Sequence, residues 1–493
     1  MTDRYRVPIC IIGFGNVGQH LAFALIGRVP EILVFTRGTR APALGALGDI
    51  ETAAVIDGRG TRVRRIESLA EVPPDALVVQ TAKEGYSYKD YPPENLRLAG
   101  LKFDAPLIRT LSEQLATCGF RGRYINVSNP TNAMTAYAQR FLRLPPERVL
   151  AFGSALDGGR WAQQILASTE AAESGLASAD LECPVLGEHG PSMVFAETGL
   201  RVRRARVALE SLLAAARDAA PRALRDGVRI ATLQGGTWYG PVRGLLRSVH
   251  FLLAENHPRT CEGVLFDGHY VGVPASKRGG RVLTHVEDLS TSERAALDRS
   301  LAQVADLYET LLRAFDSDRQ RRDVLFLDDE PGLARSLARL VQLELRDDPE
   351  LASSYRLFVG HEESPAALFG GPGGVIQLES ALVGDRVADG LAPDQPIVGG
   401  PDLLVFDQLL GGGAKGLDAA RRIKERYQNA RVVIFTGHSG ISDVAAMANE
   451  QLETRSGRRV KVVDAVVLKS EHGERELVET VRTLLRETQY RTA

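Results

Sequence analysis

The stretch Ile9–Leu25 reads ICIIGFGNVGQHLAFAL, an apolar run, a glycine turn and an amphipathic run, and that order commits the chain to a strand, a tight turn and a helix. Gly13, Gly15 and Gly18 occupy the turn. Missing side chains there let the backbone approach a pyrophosphate, whose charge the helix N-terminus stabilises. The glycine spacing alone is a weak signal; the strand before it and the helix after it make it a dinucleotide fingerprint. The alternation continues through EILVFT, ALVVQTA and RYINVS, separated by helical stretches such as DAPLIRTLSEQLA and NAMTAYAQRFLR. It predicts an α/β class with a doubly wound parallel sheet over residues 1–150. Beyond about Glu182, longer helices and hairpin-like strands (CEGVLFDGHYVGVPAS) predict a mixed α/β substrate subdomain over 151–316.

A short charged turn, Asp316–Arg322, then leads into a second α/β series over 323–493. Its strand candidates are VLFLDD, YRLFVGH, LLVFD, RVVIFT and VVDAVVLK, with a loop-rich insertion around 361–400 that contains GGPGG.

Composition narrows the function classes. The 493 residues are 44% hydrophobic and 25% charged with a net charge of −2, so neither nucleic acid nor an anionic membrane surface is an expected partner. The cysteines Cys10, Cys118, Cys183 and Cys261 are widely spaced, which argues against a zinc cage or a disulfide framework. The N-terminus has no secretory pattern, and a reducing cytoplasm is the expected compartment.

Polar residues between the first fingerprint and about position 240 carry the chemistry. His189, in GEHG, is the candidate acid/base, because imidazole changes charge near neutral pH without special tuning. A nearby carboxylate would fix its tautomer, and Asp157 is the candidate. Asp157 and Arg160 lie three apart in SALDGGRWAQQIL and share a helix face, so Arg160 is free to grip a substrate carboxylate; a plain intrahelical ion pair is the alternative. At the end of EILVFT, Thr36 stands where a ribose-binding acid is expected, and Arg37 follows it. This favours NADP over NAD, unless the arginine is merely a solvated surface residue.

These residues resemble the lactate/malate dehydrogenase family over about the first 315 positions, with ordered landmarks at GFGNVG, Arg97 in RLAGLKFDAPLI, Asn129 in NVSNPTN, LDGGR, GEHG, Thr237 in LQGGTWYG and GHYVGVPA. The resemblance implies a Rossmann domain that binds NAD or NADP and a reaction that passes hydride to a 2-oxo acid. It implies that His189 exchanges the proton and pairs with Asp157, Arg97 polarises the carbonyl from a mobile loop, Arg160 binds the carboxylate, and Asn129 and Thr237 line the pocket. It also implies a homo-oligomer. Lys83 follows Thr81-Ala82 where the family has glycine, Asp104 replaces an asparagine, and the loop KEGYSYKDYPPENLR is long and carries Tyr86, Tyr88 and Tyr91. These departures point away from lactate or malate itself.

In the second series Asp328-Asp329, Asp407, Thr436 and Lys469 all fall at strand carboxyl ends, where an open parallel sheet places its ligand crevice. Carboxylates there hold Mg²⁺ and offer a nucleophile, while a hydroxyl and an ammonium meet phosphoryl oxygens. This half resembles response-regulator receiver domains. The likeness implies a flavodoxin-like fold, Asp407 as phosphoacceptor, Asp328, Asp329 and Asp407 around the metal, Thr436 and Lys469 as switch residues, and a sensor histidine kinase or phosphotransfer protein as partner. Ser470 and Val466 depart from the receiver pattern. The combined expectation is an NAD(P)-dependent 2-hydroxy acid dehydrogenase coupled to a phosphorelay; the alternative is a sensor of nicotinamide redox state or of a carboxylate that does not turn over.

Overall fold

The computed structural model describes residues 5–36, 41–83, 96–202, 209–234, 236–315, 322–328, 331–346, 348, 355–361, 402–407, 409–410, 414–426, 430–437, 446–453, 459–470 and 472–489. Arg37, Asp329 and most of the expected 361–400 insertion lie outside them. The chain divides into two compact units, Met1–Gly85 with Phe103–Glu309, and Tyr86–Lys102 with Thr310–Ala493.

In the first unit, strand β1 (Ile9–Ile12) leads through the glycine turn into helix α1 (Asn16–Leu25). Next come β2 (Glu31–Phe35), α2 (Ala41–Asp57), β3 (Arg62–Ile66), β4 (Leu77–Gln80), α3 (Leu96–Thr117, in this unit from Phe103 onward), β5 (Arg123–Asn126), α4 (Thr131–Leu142), β6 (Val149–Ala151) and α5 (Ser154–Leu166). Two long helices follow, α6 (Leu209–Gln234) and α7 (Tyr239–Leu253), then the antiparallel strands β7 (His257–Phe266), β8 (His269–Arg278) and β9 (Arg281–Thr284), and α8 (Thr291–Phe315). The strands form one sheet in the order β9-β8-β7-β6-β5-β4-β1-β2-β3. Pairing is parallel from β6 to β3, a Rossmann-like arrangement, and the order reverses between β1 and β4.

Strands buried on both faces must be apolar throughout, and β1 (ICII) and β4 (LVVQ) have every residue buried. Leu21, Ala22 and Leu25 of α1 and Leu245, Val249 and Leu252 of α7 complete the same core. The later hairpin strands belong to the same sheet. They extend the first sheet through Gly263 of β7, which pairs with Ala151 of β6; a Cβ at Gly263 would sit 2.1 Å from Ala151 O, so only glycine lets these strands meet.

The second unit has its own parallel sheet of β10 (Arg322–Asp328), β11 (Tyr355–His361), β12 (Leu403–Phe406), β13 (Arg431–Thr436) and β14 (Ala465–Leu468), in the order β11-β10-β12-β13-β14. Helices α9 (Pro331–Arg346) and α11 (Gly473–Gln489) bury Leu337, Val341, Leu477 and Val481 with Val324, Phe326 and Val405. Helix α10 (Gly416–Arg426) buries Ala420 and Ile423 with Leu325, Leu404 and Val432. Among the described residues, no helix is long and apolar enough to cross a membrane.

One buried acid gives the first unit a pH-dependent stability. Glu262 on β7 is buried and accepts a hydrogen bond from Ser248 Oγ at 2.8 Å. Burial pushes its carboxyl up from 4.5 to about 7, against the lowering influence of Ser248 and Arg247. The folded state therefore keeps a proton that the unfolded chain releases near 4.5. The resulting stabilisation is complete below that value, declines as pH rises toward 7 and is gone above it. Thermal melts between pH 4 and 8 check this: Glu262→Gln should flatten the decline and melt above the wild type at pH 8.

Candidate active site

The glycine turn sits at the carboxyl end of β1, beside the point where the strand order reverses. Gly13 has φ +94° and donates its N–H to Phe35 O at 2.9 Å, which ties the turn to the end of β2. Side chains are excluded on both sides: a Cβ at Gly13 would lie 2.4 Å from Ala82 N, and one at Gly18 2.2 Å from Gly13 O. Thr81, just past β4, donates from Oγ1 to Gly13 O at 2.7 Å and holds the two strand ends together. Gly15 is different, because a Cβ there would meet nothing within 4 Å. Gly15 is the N-cap of α1, whose first turn has no acidic residue and no side-chain cap. The local chemistry fits a diphosphate, whose oxygens would take up backbone N–H groups left without helical partners. Thr36, half-buried, follows β2 and brings no carboxylate to the neighbouring ribose position.

The candidate acid/base group is assembled from two elements. Asp157, in the first turn of α5, is 2% exposed. Its Oδ2 lies 2.5 Å from His189 Nδ1, and its Oδ1 accepts from Arg160 Nη1 at 3.1 Å. Both oxygens are thus satisfied by N–H donors, as a carboxylate this deeply buried requires. Pairing with the carboxylate favours the tautomer that carries its proton on Nδ1. Two glycines make the geometry possible. A Cβ on Gly153, the N-cap of α5, would sit 2.5 Å from His189 Cβ, and one on Gly227 of α6 would sit 2.9 Å from Arg160 Nη1.

Asn129 lies in the turn between β5 and α4, half-buried, ahead of the cis Asn129–Pro130 bond. Its Oδ1 is buried and takes no hydrogen bond among the described residues, an acceptor left for a ligand N–H or O–H. Thr237 is half-buried two residues before α7, a helix that packs on both α1 and α5. Arg97 falls in the first turn of α3, with its side chain outside the described part of the structure.

Sequence reasoning passed over three residues that brace this region. Ser128 Oγ donates within 2.9 Å of Gln80 Oε1 and 2.7 Å of Ala82 O, and Asn126 Nδ2 reaches Ser128 O at 3.0 Å and Thr131 O at 3.3 Å. This buried polar network joins the ends of β4 and β5 just before Asn129. Its signal was a polar residue closing each apolar run, in LVVQ and RYIN.

At the carboxyl end of the second unit's sheet, Asp328 and Asp407 are buried and Thr436 is fully buried. Lys469 Nζ lies 2.6 Å from Asp407 Oδ2 and 3.3 Å from Asp328 Oδ2. Burial alone would lower the Lys469 ammonium; the Asp407 hydrogen bond and the charges of Asp407 and Asp328 outweigh it and hold it above the ordinary lysine value. Lys469 N also donates to Thr436 O at 2.8 Å, so the four residues share one end of the sheet. Among the described residues, no three His, Cys, Asp or Glu side chains converge as a metal site.

No family model matches the chain. Its N-terminal 63% is 28% identical over 329 residues to L-lactate dehydrogenase 1 of Bifidobacterium longum, covering the whole of that protein. Solved structures show the same fold. A malate dehydrogenase from Salinibacter ruber is 24% identical with a TM-score of 0.54, covering 63% of this chain and 99% of that one. A Cryptosporidium parvum lactate dehydrogenase, solved with lactic acid and β-nicotinamide adenine dinucleotide, is 20% identical with a TM-score of 0.54 over 63% of this chain and 99% of its own. The first part of this chain is therefore similar along its length to lactate and malate dehydrogenases.

Proposed function

We propose that the first unit is an NAD(P)-dependent dehydrogenase of 2-hydroxy acids. The buried contact of Asp157 with both His189 and Arg160 carries this reading, and the likeness to a lactate dehydrogenase supports it. Bound nicotinamide supplies or takes up the hydride at the substrate carbonyl carbon. Arg160 binds the substrate carboxylate, which sets the reacting carbon in front of His189. His189 Nε2 gives its proton to the carbonyl oxygen during reduction and takes it back during oxidation, while Asp157 faces the imidazolium charge. Asn129 Oδ1 and Thr237 meet polar groups of the ligands, and Arg97 draws electron density from the carbonyl. Gly13, Gly15 and Gly18 hold the diphosphate. In the sequence, Thr36 stands where a repelling acid would be and Arg37 follows it, which favours NADP over NAD in this reading.

The second unit is a receiver-like, flavodoxin-like domain in the same reading. Its sheet order is the 2-1-3-4-5 order of that fold. Asp407 is the phosphoacceptor; Asp328, Asp329 and Asp407 hold Mg²⁺, and Lys469 and Thr436 receive phosphoryl oxygens once Lys469 loosens its pairing with Asp407. A histidine kinase or phosphotransfer protein supplies the phosphoryl group, and the added charge biases the attached dehydrogenase.

Steady-state assays with NADH, NADPH and a panel of 2-oxo acids test the first part. His189→Asn should lower kcat by about 10³-fold while NAD(P)H affinity, read by fluorescence, changes less than about twofold. Arg160→Gln should act mainly on KM, raising it on the order of 100-fold. For the second part, incubation with acetyl phosphate and Mg²⁺ should add roughly one phosphoryl group (about 80 Da) per wild-type chain, and hydroxylamine should release it, as expected for an acyl phosphate. Asp407→Asn should abolish the label, and labelling that survives this substitution would refute the assignment.

A further inference from the structure

The strap that carries His189 is held at three successive backbone N–H groups by three different elements. Gly187 N donates to Gly272 O of β8 at 2.8 Å, and Gly272 N returns the bond at 2.8 Å. Glu188 N donates to Ser300 Oγ of α8 at 2.8 Å. His189 N donates to Asn132 Oδ1 at 2.9 Å, in the first turn of α4. Asn132 is 3% exposed, and the other end of its amide is also used: Nδ2 donates to Tyr270 O of β8 at 2.8 Å. One side chain therefore spans α4, the His189 strap and β8.

Asn132 also lies three residues after Asn129, on the turn that offers its buried acceptor to a ligand. Its amide fixes how far that turn stands from the imidazole. Gly187 and Glu188 are pinned to β8 and α8, so of these three bonds the one from Asn132 is the link to α4, the helix that follows the Asn129 turn. An acid/base group works only within hydrogen-bond reach of the atom it serves, and small displacements are costly in rate.

We propose that Asn132 is a positioning residue for the His189 proton transfer, setting the separation between the imidazole and the Asn129 turn. The proposal rests on the dehydrogenase reading. Ser at this position is too short to bridge His189 N and Tyr270 O. Asp keeps an acceptor for His189 N but has no N–H for Tyr270 O while ionised.

The test compares wild type, Asn132→Ser, Asn132→Asp and a control, Thr135→Val. Thr135 is a buried residue about one turn further along α4 whose hydroxyl donates to the helix carbonyl of Thr131 at 2.5 Å. Asn132→Ser should lower kcat about 10- to 100-fold, with KM and cofactor affinity within about threefold of wild type. Asn132→Asp should keep kcat at least about threefold above Asn132→Ser, and Thr135→Val should stay within about twofold of wild type. A kcat for Asn132→Ser within twofold of wild type, or a fall no larger than that of Thr135→Val, overturns the proposal. A measurement on the wild type stands beside these and needs neither turnover nor a folded variant: the His189 amide proton should exchange at least about 100-fold more slowly than in an unfolded chain. Exchange at the unfolded rate overturns the role of Asn132. Wild-type protein that binds cofactor but reduces no 2-oxo acid defeats the dehydrogenase reading instead, and the exchange result still judges Asn132.

Discussion

The first unit depends on how it accommodates one buried negative charge. Asp157 has almost no access to water, and a carboxylate in that position is tolerable only while both oxygens are engaged. His189 takes one and Arg160 the other. The arrangement is therefore mutual: the carboxylate orients the imidazole and the guanidinium, and they in turn make its burial bearable. Removing either partner leaves an underpaired buried charge, which is more disruptive than the loss of one contact.

The backbone around this group is shaped to permit it. Gly153 and Gly227 leave out the two Cβ atoms that would collide with His189 and Arg160, and Gly13 and Gly18 do the same where β1 turns into α1 beside β4. The open side of Gly15, the orphan acceptor of Asn129 and the His189–Asp157–Arg160 cluster belong to the same unit, and they are the features on which the proposed cofactor and substrate site rests. The second unit poses a related electrostatic problem with a different solution, since Asp328 and Asp407 both contact the ammonium of Lys469.

Much of the architecture was legible because fully buried parallel strands need unbroken apolar runs. ICII, EILVF, LVVQ, LLVF and RVVIF could hardly be anything else, and each is a strand. The strand RVRRI escaped notice because it lies at the sheet edge and is rich in arginine; Arg62 and Arg64 pair with Glu31, and Arg64 also with Glu71, so its pattern is charged rather than apolar. Continuity of the sheet from β6 into β7 was equally hidden, because it turns on the missing side chain of Gly263. For the site, the three-residue spacing of Asp157 and Arg160 was readable as a shared helix face. The distance from Asp157 to His189 was not, since 32 positions separate them and only the tertiary fold closes the gap. Asn132 carried no legible signal at all; an asparagine after Pro130 reads as helix-start chemistry, and its bond to His189 exists only in the folded chain.

The account stands or falls on whether this geometry moves a hydride. The most direct measurement is isotope transfer from NADPH or NADH deuterated at both C4 positions of the nicotinamide to a panel of 2-oxo acids, followed by mass spectrometry of the products. The account requires a 2-hydroxy acid that carries one deuterium on the carbon bearing the new hydroxyl. Verified cofactor binding with no deuterium in any product would contradict it.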